Sequence, residues 1–283
     1  MIGVFDSGFG GLTILKELLE VLPQYDYTYL GDNGRAPYGN RSHEAVKAFT
    51  EEGVRYLFDQ GCSLVIIACN TASANVLREL QEEYLRKPSA AFVKAGYSGR
   101  KILGVIRPLA EHSARITKTG RIGVVGTRGT INSKSYETEL KKIGAANGRT
   151  QMQVYGQACP LLVPLIEEDW ADKPETRMIL RKYLRHLKSC NIDTLILGCT
   201  HYPFLYKEFC RIMGKNVAIP HPGEVVAASL LDYLTRHPEV ESKLTRKGAR
   251  HYLTTDIADR FREIGSRFLG RALQKVEKVK ISK

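Results

Sequence analysis

The amino-acid sequence predicts an α/β protein with two similar lobes, each a mostly parallel sheet flanked by helices. Short apolar runs alternate with longer amphipathic segments along the 283 residues, which is typical of parallel sheets covered by helices on both faces. One pattern also occurs twice, because apolar runs end in Cys69 and again in Cys199. The repeat predicts lobes related by a pseudo-twofold axis, with the active site in the cleft between them.

The elements follow from the spacing of apolar residues. Strands are predicted where short runs are rich in Val, Ile, Leu and Tyr, at residues 2–5, 27–30, 64–68, 102–106, 122–125, 152–155, 195–197 and 217–219. Helices are predicted where apolar residues recur every three or four positions, at residues 12–22, 42–60, 72–85, 162–168, 174–189 and 222–235.

The predicted first lobe comprises residues 1–97 and 206–283, and the second comprises residues 98–205. The polar stretch 87–101 contains Pro88, Gly96 and Gly99 and predicts a connection between the lobes. The return of residues 206–283 to complete the first lobe rests partly on the family resemblance described below.

The composition and the apolar pattern indicate a globular protein and give no sign of a membrane span. Hydrophobic residues make up 43% and charged residues 25% of the chain, which is ordinary for a globular protein with a proper core. No apolar run approaches the roughly 18 residues that span a membrane, and no secretory signal is visible. We therefore expect a cytoplasmic protein whose six cysteines stay reduced. The sequence contains no C-x-x-C pair, which is the pattern typical of a zinc ribbon.

The chain is basic, with a formal net charge of +12. Residues 241–283 hold 12 Lys and Arg against 5 Asp and Glu, a net of +7. Such a segment can attract nucleic acid, but no aromatic interleaving or zinc-finger spacing supports that interpretation. A solvated helix face is the simpler explanation.

Two loops of the first lobe are candidate anion sites. Asp6, Ser7 and Gly8 follow the first strand and open a helix, where free N–H groups favour an anion. The segment is neither a dinucleotide-binding fingerprint nor a P-loop, and a plain tight turn capped by Asp6 also fits. Tyr38 and Gly39 lie in a second such loop, which is equally compatible with a surface turn.

The segments Cys69-Asn70-Thr71 and Cys199-Thr200-His201 are the most specific features. A single cysteine at a strand end is usually a small buried hydrophobe. The repeated context instead favours two thiols that face one substrate. His201 is suited to stabilise a thiolate, the reactive form. Zinc ligation by both cysteines and His201 is the alternative, but a fourth ligand is missing.

Thr127 and Thr130 stand at a predicted helix start, where hydroxyls cap the helix or bind an anion. Glu167 follows an apolar segment and by itself is only a charged residue on a helix.

Taken together, these segments resemble the cofactor-independent aspartate/glutamate racemase superfamily, and glutamate racemases in particular. The resemblance extends through nearly the whole chain and is carried by motifs at residues 2–8, 37–39, 69–73, 126–130, 158–167 and 197–203. It implies interconversion of L- and D-glutamate without a cofactor or metal, by two cysteine bases on opposite faces of the α-carbon.

The resemblance also implies a role for each residue. Cys69, assisted by Asp6, would act on D-glutamate. Cys199, assisted by His201 and Glu167, would act on L-glutamate. The substrate-binding residues would be Ser7, Tyr38, Gly39, Asn70, Thr71, Thr127, Thr130 and Thr200. We also expect a homodimer in a bacterial cytoplasm. Its product, D-glutamate, would be used in peptidoglycan synthesis.

Several residues depart from the family's usual pattern, namely Asn33, Gly34, Leu109, His221 and Pro222. None is a proposed proton-transfer group, so they bear on regulation and lobe packing. Two alternatives stay open. One is an aspartate racemase or another two-cysteine racemase. The other is a regulatory protein that binds nucleic acid or gyrase, which no motif supports and which would not need both cysteines.

Overall fold

Two parallel sheets form the centre of the computed structural model, which describes residues 1–86, 93–148 and 152–281. The first sheet has six strands in the order β4-β3-β1-β2-β8-β9, and the second has three in the order β6-β5-β7. In chain order the strands are β1 Ile2–Asp6, β2 Tyr27–Gly31, β3 Leu64–Ile67, β4 Lys101–Gly104, β5 Arg121–Gly126, β6 Gln153–Ala158, β7 Thr194–Gly198, β8 Arg250–Thr254 and β9 Glu277–Lys278.

Helices surround these sheets. In chain order the α-helices are α1 Leu12–Val21, α2 His43–Asp59, α3 Asn70–Gln81, α4 Ile106–Ile116, α5 Arg128–Asn132, α6 Ser135–Ala146, α7 Leu162–Glu167, α8 Pro174–Ser189, α9 Tyr206–Met213, α10 Pro222–Arg236, α11 Pro238–Glu241 and α12 Ala258–Leu269. No helix among the described residues is long and apolar enough to cross a membrane.

The strand order repeats between the lobes. In the first sheet β1 lies between β3 and β2, and in the second sheet β5 lies between β7 and β6. The third strand of each set leads into a cysteine: β3 ends two residues before Cys69, and β7 ends directly before Cys199. These matching positions confirm the predicted α/β fold class with two similar lobes.

The sheets are buried because helices cover both faces. All five residues of β1 and all five of β7 are buried, which explains their uninterrupted apolar sequences. One apolar cluster contains Leu12 and Phe268 of the first lobe together with Leu180 and Cys199 of the second. The lobes therefore share a continuous core rather than meeting only through polar contacts.

The predicted boundary at residue 97 needs correction. The prediction places residues 98–205 in the second lobe. Strand β4 falls within this range, but it pairs with β3 at the edge of the six-stranded sheet, with Leu64 opposite Lys101. The first sheet therefore extends to Gly104. The predicted connection 87–101 falls partly on residues 87–92, which lie outside the described residues. Its later part leads directly into β4.

The predicted strand at residues 217–219 is wrong. Ala218 makes an isolated bridge to Thr194, because the segment is too short to extend the pairing. The sequence also failed to indicate β8, β9 and the helices α4, α6, α9, α11 and α12. Strand β8 contains Arg250 and His251, so it lacks an apolar run, yet it pairs along the whole of β2.

The basic C-terminal segment folds back onto the first lobe. Strands β8 and β9 extend the first sheet beyond β2. Arg250 donates to the carbonyls of Pro23 and Tyr25, and Arg262 pairs with Asp259. Part of the positive charge is thus used in structural contacts.

Candidate active site

The predicted site residues gather at the carboxyl ends of β1, β3, β5 and β7, between the lobes. A cavity of about 370 Å³ opens there. Of the predicted residues, those that line it are Ser7, Gly39, Thr127, Glu167 and His201. Each cysteine is 5% exposed and contacts a residue of this lining. The Cys69 sulfur lies 3.4 Å from the Ser7 hydroxyl, and the Cys199 sulfur lies 3.8 Å from Nδ1 of His201. Their charges interact, since a thiolate at Cys199 raises the pKa of Cys69.

Cys69 stands at the N-cap of α3, where its sulfur accepts the main-chain N–H of Ala72 at 3.5 Å. The Ser7 hydroxyl lies 3.4 Å from the same sulfur. Burial, reinforced by the nearby Asp6 carboxylate, raises the pKa of Cys69 to about 12. At neutral pH Cys69 is therefore a thiol that can give up a proton.

Asp6 ends β1 and is 1% exposed. Its Oδ2 accepts the N–H of Gly8 at 2.9 Å, while its Oδ1 has no hydrogen-bond partner in the structure. Burial raises the pKa of this carboxyl above its ordinary value, although the positive charge of His201 opposes the shift. Asp6 is thus a buried acid beside Cys69 with one oxygen available for a proton.

Cys199 belongs to a different arrangement, a chain of three groups. Its sulfur lies 3.8 Å from Nδ1 of His201, and Nε2 of His201 lies 2.9 Å from Oε1 of Glu167. Burial alone would lower the pKa of His201, but the hydrogen bonds to Cys199 and Glu167 outweigh it and raise the pKa to about 10. With both ring nitrogens protonated, His201 can donate to the Cys199 sulfur and to the Glu167 carboxylate at once.

Three hydroxyls join the lobes beside the thiols. Thr71 and Thr127 bring their oxygens to 2.8 Å, and Thr130 lies 3.1 Å from Thr127. Thr71 is in the first turn of α3, and Thr127 caps α5 by accepting the N–H of Thr130. Helix N-termini that face each other in this way offer free donors to a carboxylate.

Asn70 and Thr200 are both 4% exposed. The amide oxygen of Asn70 accepts from the Tyr136 hydroxyl at 2.7 Å, so its amide nitrogen is oriented elsewhere. The carbonyl of Thr200 accepts the Thr13 hydroxyl at 2.9 Å. Thr13 therefore holds the start of α1 against the loop that carries Cys199.

Tyr38 differs from the other predicted binding residues, because its hydroxyl donates to Asp32 and does not reach the cavity. Asp32 is fully buried and also accepts from Arg35 at 2.7 Å and from Thr255 at 2.8 Å. Asp32 is not among the predicted site residues, although its place directly after β2 is a usable signal. The neighbouring Gly39 is needed, since a Cβ there would lie 2.8 Å from Cβ of Thr127.

Two of the departures from the family's usual pattern, Asn33 and Gly34, lie at contacts with the C-terminal segment. The side chain of Asn33 accepts from Thr254 at 3.1 Å, and the N–H of Gly34 donates to Thr255 at 2.9 Å. The described part of the chain contains no group of three or more His, Cys, Asp or Glu residues placed to hold a metal ion.

The arrangement is that of two acid–base groups of different character across one cleft. Cys69 is a buried thiol beside an acid, and Cys199 is a thiol beside a protonated imidazole. Such a pair can remove a proton from one side of a bound molecule and deliver one from the other side.

Comparison with known proteins places this arrangement in context. A sequence profile described as Asp/Glu/hydantoin racemase matches residues 11–228. The glutamate racemase of Geobacter metallireducens is 39% identical over 280 residues, which cover 99% of this chain and 96% of that protein.

Two solved structures are similar over nearly their whole length. Glutamate racemase isoform RacE1 from Bacillus anthracis gives a TM-score of 0.86 at 35% identity, with 99% of this chain and 97% of that chain covered. The glutamate racemase of Francisella tularensis, in complex with D-glutamate, gives a TM-score of 0.84 at 32% identity and the same coverage.

Proposed function

This chain belongs to the Asp/Glu/hydantoin racemase family, and we propose that it interconverts L- and D-glutamate by moving the α-proton between Cys69 and Cys199. The observation that carries the proposal is the placement of two buried thiols at the ends of equivalent strands, β3 and β7, beside one cavity. Two groups are needed because a single base tends to return its proton to the face from which it came.

The different surroundings of the thiols suggest which form rests in the free enzyme. Cys69, with a pKa of about 12, holds its proton. His201, with a pKa of about 10, is protonated and can donate a hydrogen bond to the Cys199 sulfur. Cys69 is therefore the acid of the reaction from L-glutamate, and Cys199, on the other side, is the base.

The reaction from L-glutamate then proceeds in two proton transfers. The Cys199 thiolate takes the α-proton, and the electron pair of the C–H bond is left on the α-carbon and its carboxylate. The Cys69 thiol delivers its proton to the opposite face, which yields D-glutamate. Cys69 ends as the thiolate and Cys199 as the thiol, which is the form that accepts D-glutamate. Return to the first form moves one proton from Cys199 to solvent and one from solvent to Cys69, beside the buried Asp6 carboxyl.

The α-proton of an amino acid is weakly acidic, so the site must stabilise negative charge on the substrate. Helix N-termini and the hydroxyls of Thr71, Thr127 and Thr130 supply fixed donors in a largely buried site. Arg128 and Arg260 line the cavity from opposite lobes and add positive charge for a substrate with two carboxylates.

We infer that the substrate is glutamate and not aspartate, because the similar proteins of Geobacter, Bacillus and Francisella, at 32–39% identity, are glutamate racemases. We further infer, as the family resemblance implies, that the enzyme works as a homodimer in the bacterial cytoplasm, without a cofactor. Its product would supply D-glutamate for peptidoglycan synthesis.

Incubation with each enantiomer in heavy water tests this function. We expect loss of optical rotation with either enantiomer and deuterium at the α-carbon of the product. Aspartate should racemise far more slowly than glutamate. Absence of exchange with both glutamate enantiomers would refute the proposal and would favour a binding role, whereas faster exchange with aspartate would reassign the substrate.

A further inference from the structure

One helix of the first lobe contacts both helpers of Cys199. Helix α12 lies in the C-terminal segment, whereas α7 and the Cys199 loop belong to the second lobe. Nη2 of Arg267 donates to the main-chain carbonyls of Ile166 at 2.9 Å and Glu167 at 3.0 Å. These are the last two residues of α7.

The bonds from Arg267 matter because α7 has only six residues. The last carbonyls of a helix have no partner within it, and so short a helix has little stability of its own. The Ile166 carbonyl also accepts the main-chain N–H of Asp169 at 3.2 Å. Arg267 adds a charged donor to this carbonyl and to that of Glu167, and so fixes the end of the helix. Glu167 is at that end, so Arg267 determines where its carboxylate stands.

The next residue of α12 contacts the other helper. The ring of Phe268 meets the imidazole of His201 edge-on, with centroids 5.2 Å apart and an angle of 78°. Phe204 and Phe9 hold this ring, with centroid distances of 4.3 Å and 6.2 Å. Consecutive side chains of α12 thus touch the backbone of Glu167 and the ring of His201.

We propose that Arg267 is a positioning residue of the racemase site, which holds Glu167 at hydrogen-bond distance from His201. The inference deepens the proposed function and rests on it, because it assigns Arg267 to the Cys199 half of the reaction. Arg267 acts through Glu167 and does not touch the substrate. Since it spans the lobes, it also makes the Glu167–His201 bond depend on their closed arrangement.

Asp169 separates this role from general stability. Its carboxylate pairs with Nη1 of Arg267 at 2.6 Å, but it is 79% exposed. Replacing Asp169 by Asn removes this exposed ion pair, which contributes little to stability, and leaves both carbonyl bonds of Arg267 in place. Replacing Arg267 by Met removes the carbonyl bonds and keeps the apolar stem. Replacing it by Lys keeps one donor.

The kinetic test compares Arg267→Met, Arg267→Lys and Asp169→Asn with the wild type. We expect Arg267→Met to lower kcat about 10- to 100-fold, as for a catalytic group displaced by about 1 Å. Lys should restore part of the activity, and Asp169→Asn should stay close to the wild type. Because enantiomers are equal in free energy, kcat/KM must fall equally in both directions for every variant.

Exchange of the substrate α-proton with solvent provides a measurement that a purely structural defect would not change. With the Cys199 half impaired, Cys69 still removes the α-proton of D-glutamate and returns a solvent deuteron to the same face. Two rates are compared: deuterium uptake into D-glutamate that keeps its configuration, and conversion of D- to L-glutamate. The ratio of the first rate to the second should therefore rise in Arg267→Met. An unchanged ratio, or activity within about twofold of the wild type, would overturn the proposal, since a lost positioning contact is expected to cost more.

A titration of His201 by NMR tests the positioning independently of activity. The imidazole should titrate near pH 10 in the wild type and at a lower pH in Arg267→Met, but not in Asp169→Asn. If the wild type shows no α-proton exchange, the proposed function fails, and the titration alone still decides whether Arg267 positions Glu167. An unchanged His201 titration in Arg267→Met would refute that positioning.

Discussion

The hydroxyl of Thr71 lies 2.8 Å from the hydroxyl of Thr127, and this contact joins the two lobes next to the candidate catalytic thiols. Thr71 follows Cys69 at the start of α3, while Thr127 follows β5 at the start of α5. The contact brings two helix N-termini together, so a carboxylate placed there would meet donors from both lobes. Substrate binding and lobe closure are therefore expected to support each other.

Replacing Thr127 by Val tests this relationship. Valine keeps the shape but loses the cap of α5 and the bond to Thr71. We expect the free energy of unfolding to fall by about 1 kcal/mol from the lost cap and KM for glutamate to rise. Thr235→Val is the matched control, because Thr235 is exposed and bonds only within α10. An unchanged KM in Thr127→Val would argue against a role in substrate binding.

Replacing Cys69 or Cys199 by Ala should lower the racemisation rate by about 10²- to 10⁴-fold, the usual loss of a general acid or base. Each variant should keep exchange on one side, so that Cys199→Ala still exchanges the α-proton of D-glutamate and Cys69→Ala that of L-glutamate. Cys190→Ala is the control, since Cys190 follows α8 away from the cavity. Full racemisation by either active-site variant would contradict the two-thiol mechanism.

The stability of the protein should depend on pH through His201. Its pKa is raised from 6.5 to about 10 in the folded state. Between these values the folded chain keeps a proton that the unfolded chain has lost, so stability falls as pH rises. The contribution is complete below pH 6.5 and lost above pH 10. Urea unfolding of the wild type and His201→Asn over this range should converge at high pH, and parallel curves would contradict the assignment.

Tyr38→Phe should affect stability more than binding. The change removes one of three donors to the buried Asp32, and a lost hydrogen bond of this kind costs about 0.5–1.5 kcal/mol. KM should change little, because the hydroxyl is directed away from the cavity. Tyr155→Phe is the control, as its hydroxyl bonds to Gln153 at the surface. A large rise in KM with unchanged stability would show instead that the hydroxyl binds substrate.

Gly10→Ala should damage the Cys199 half of the site. A Cβ at position 10 would lie 2.5 Å from Nδ1 of His201 and well within van der Waals distance of the Thr200 hydroxyl. Overpacking of this kind costs about 1–3 kcal/mol, and the displaced imidazole should lower kcat/KM about 100-fold. Steady-state kinetics and a thermal melt measure the two effects. A variant with normal kcat/KM would show that the lobes can separate here without loss of function.

Much of the site could be predicted because its residues stand in local patterns. Cys69 and Cys199 each follow an apolar run, and the end of a buried strand is determined by a few neighbouring residues. The alternation of strands and helices likewise gave the α/β class. The roles given to Asp6, Glu167 and the threonines came from the family resemblance, since a lone acid or hydroxyl has no distinctive pattern.

The errors concern segments whose structure depends on distant partners. Strand β8 is polar and forms because β2 offers an open edge, more than 200 residues earlier in the chain. Strand β4 joins the first sheet for the same reason, next to β3. Conversely, residues 217–219 are apolar but form a single isolated bridge, between Ala218 and Thr194.

The sequence by itself determined the fold class and the two cysteines, because strand propensity and the identity of a nucleophilic side chain are local properties. Only the tertiary structure decided their environments. The raised pKa of Cys69 needs burial beside Asp6, and that of His201 needs Glu167 and Cys199 within reach. Arg267 reaches α7 across 100 residues of chain. Burial and hydrogen bonding depend on what surrounds a group in space, and folding alone brings those neighbours together.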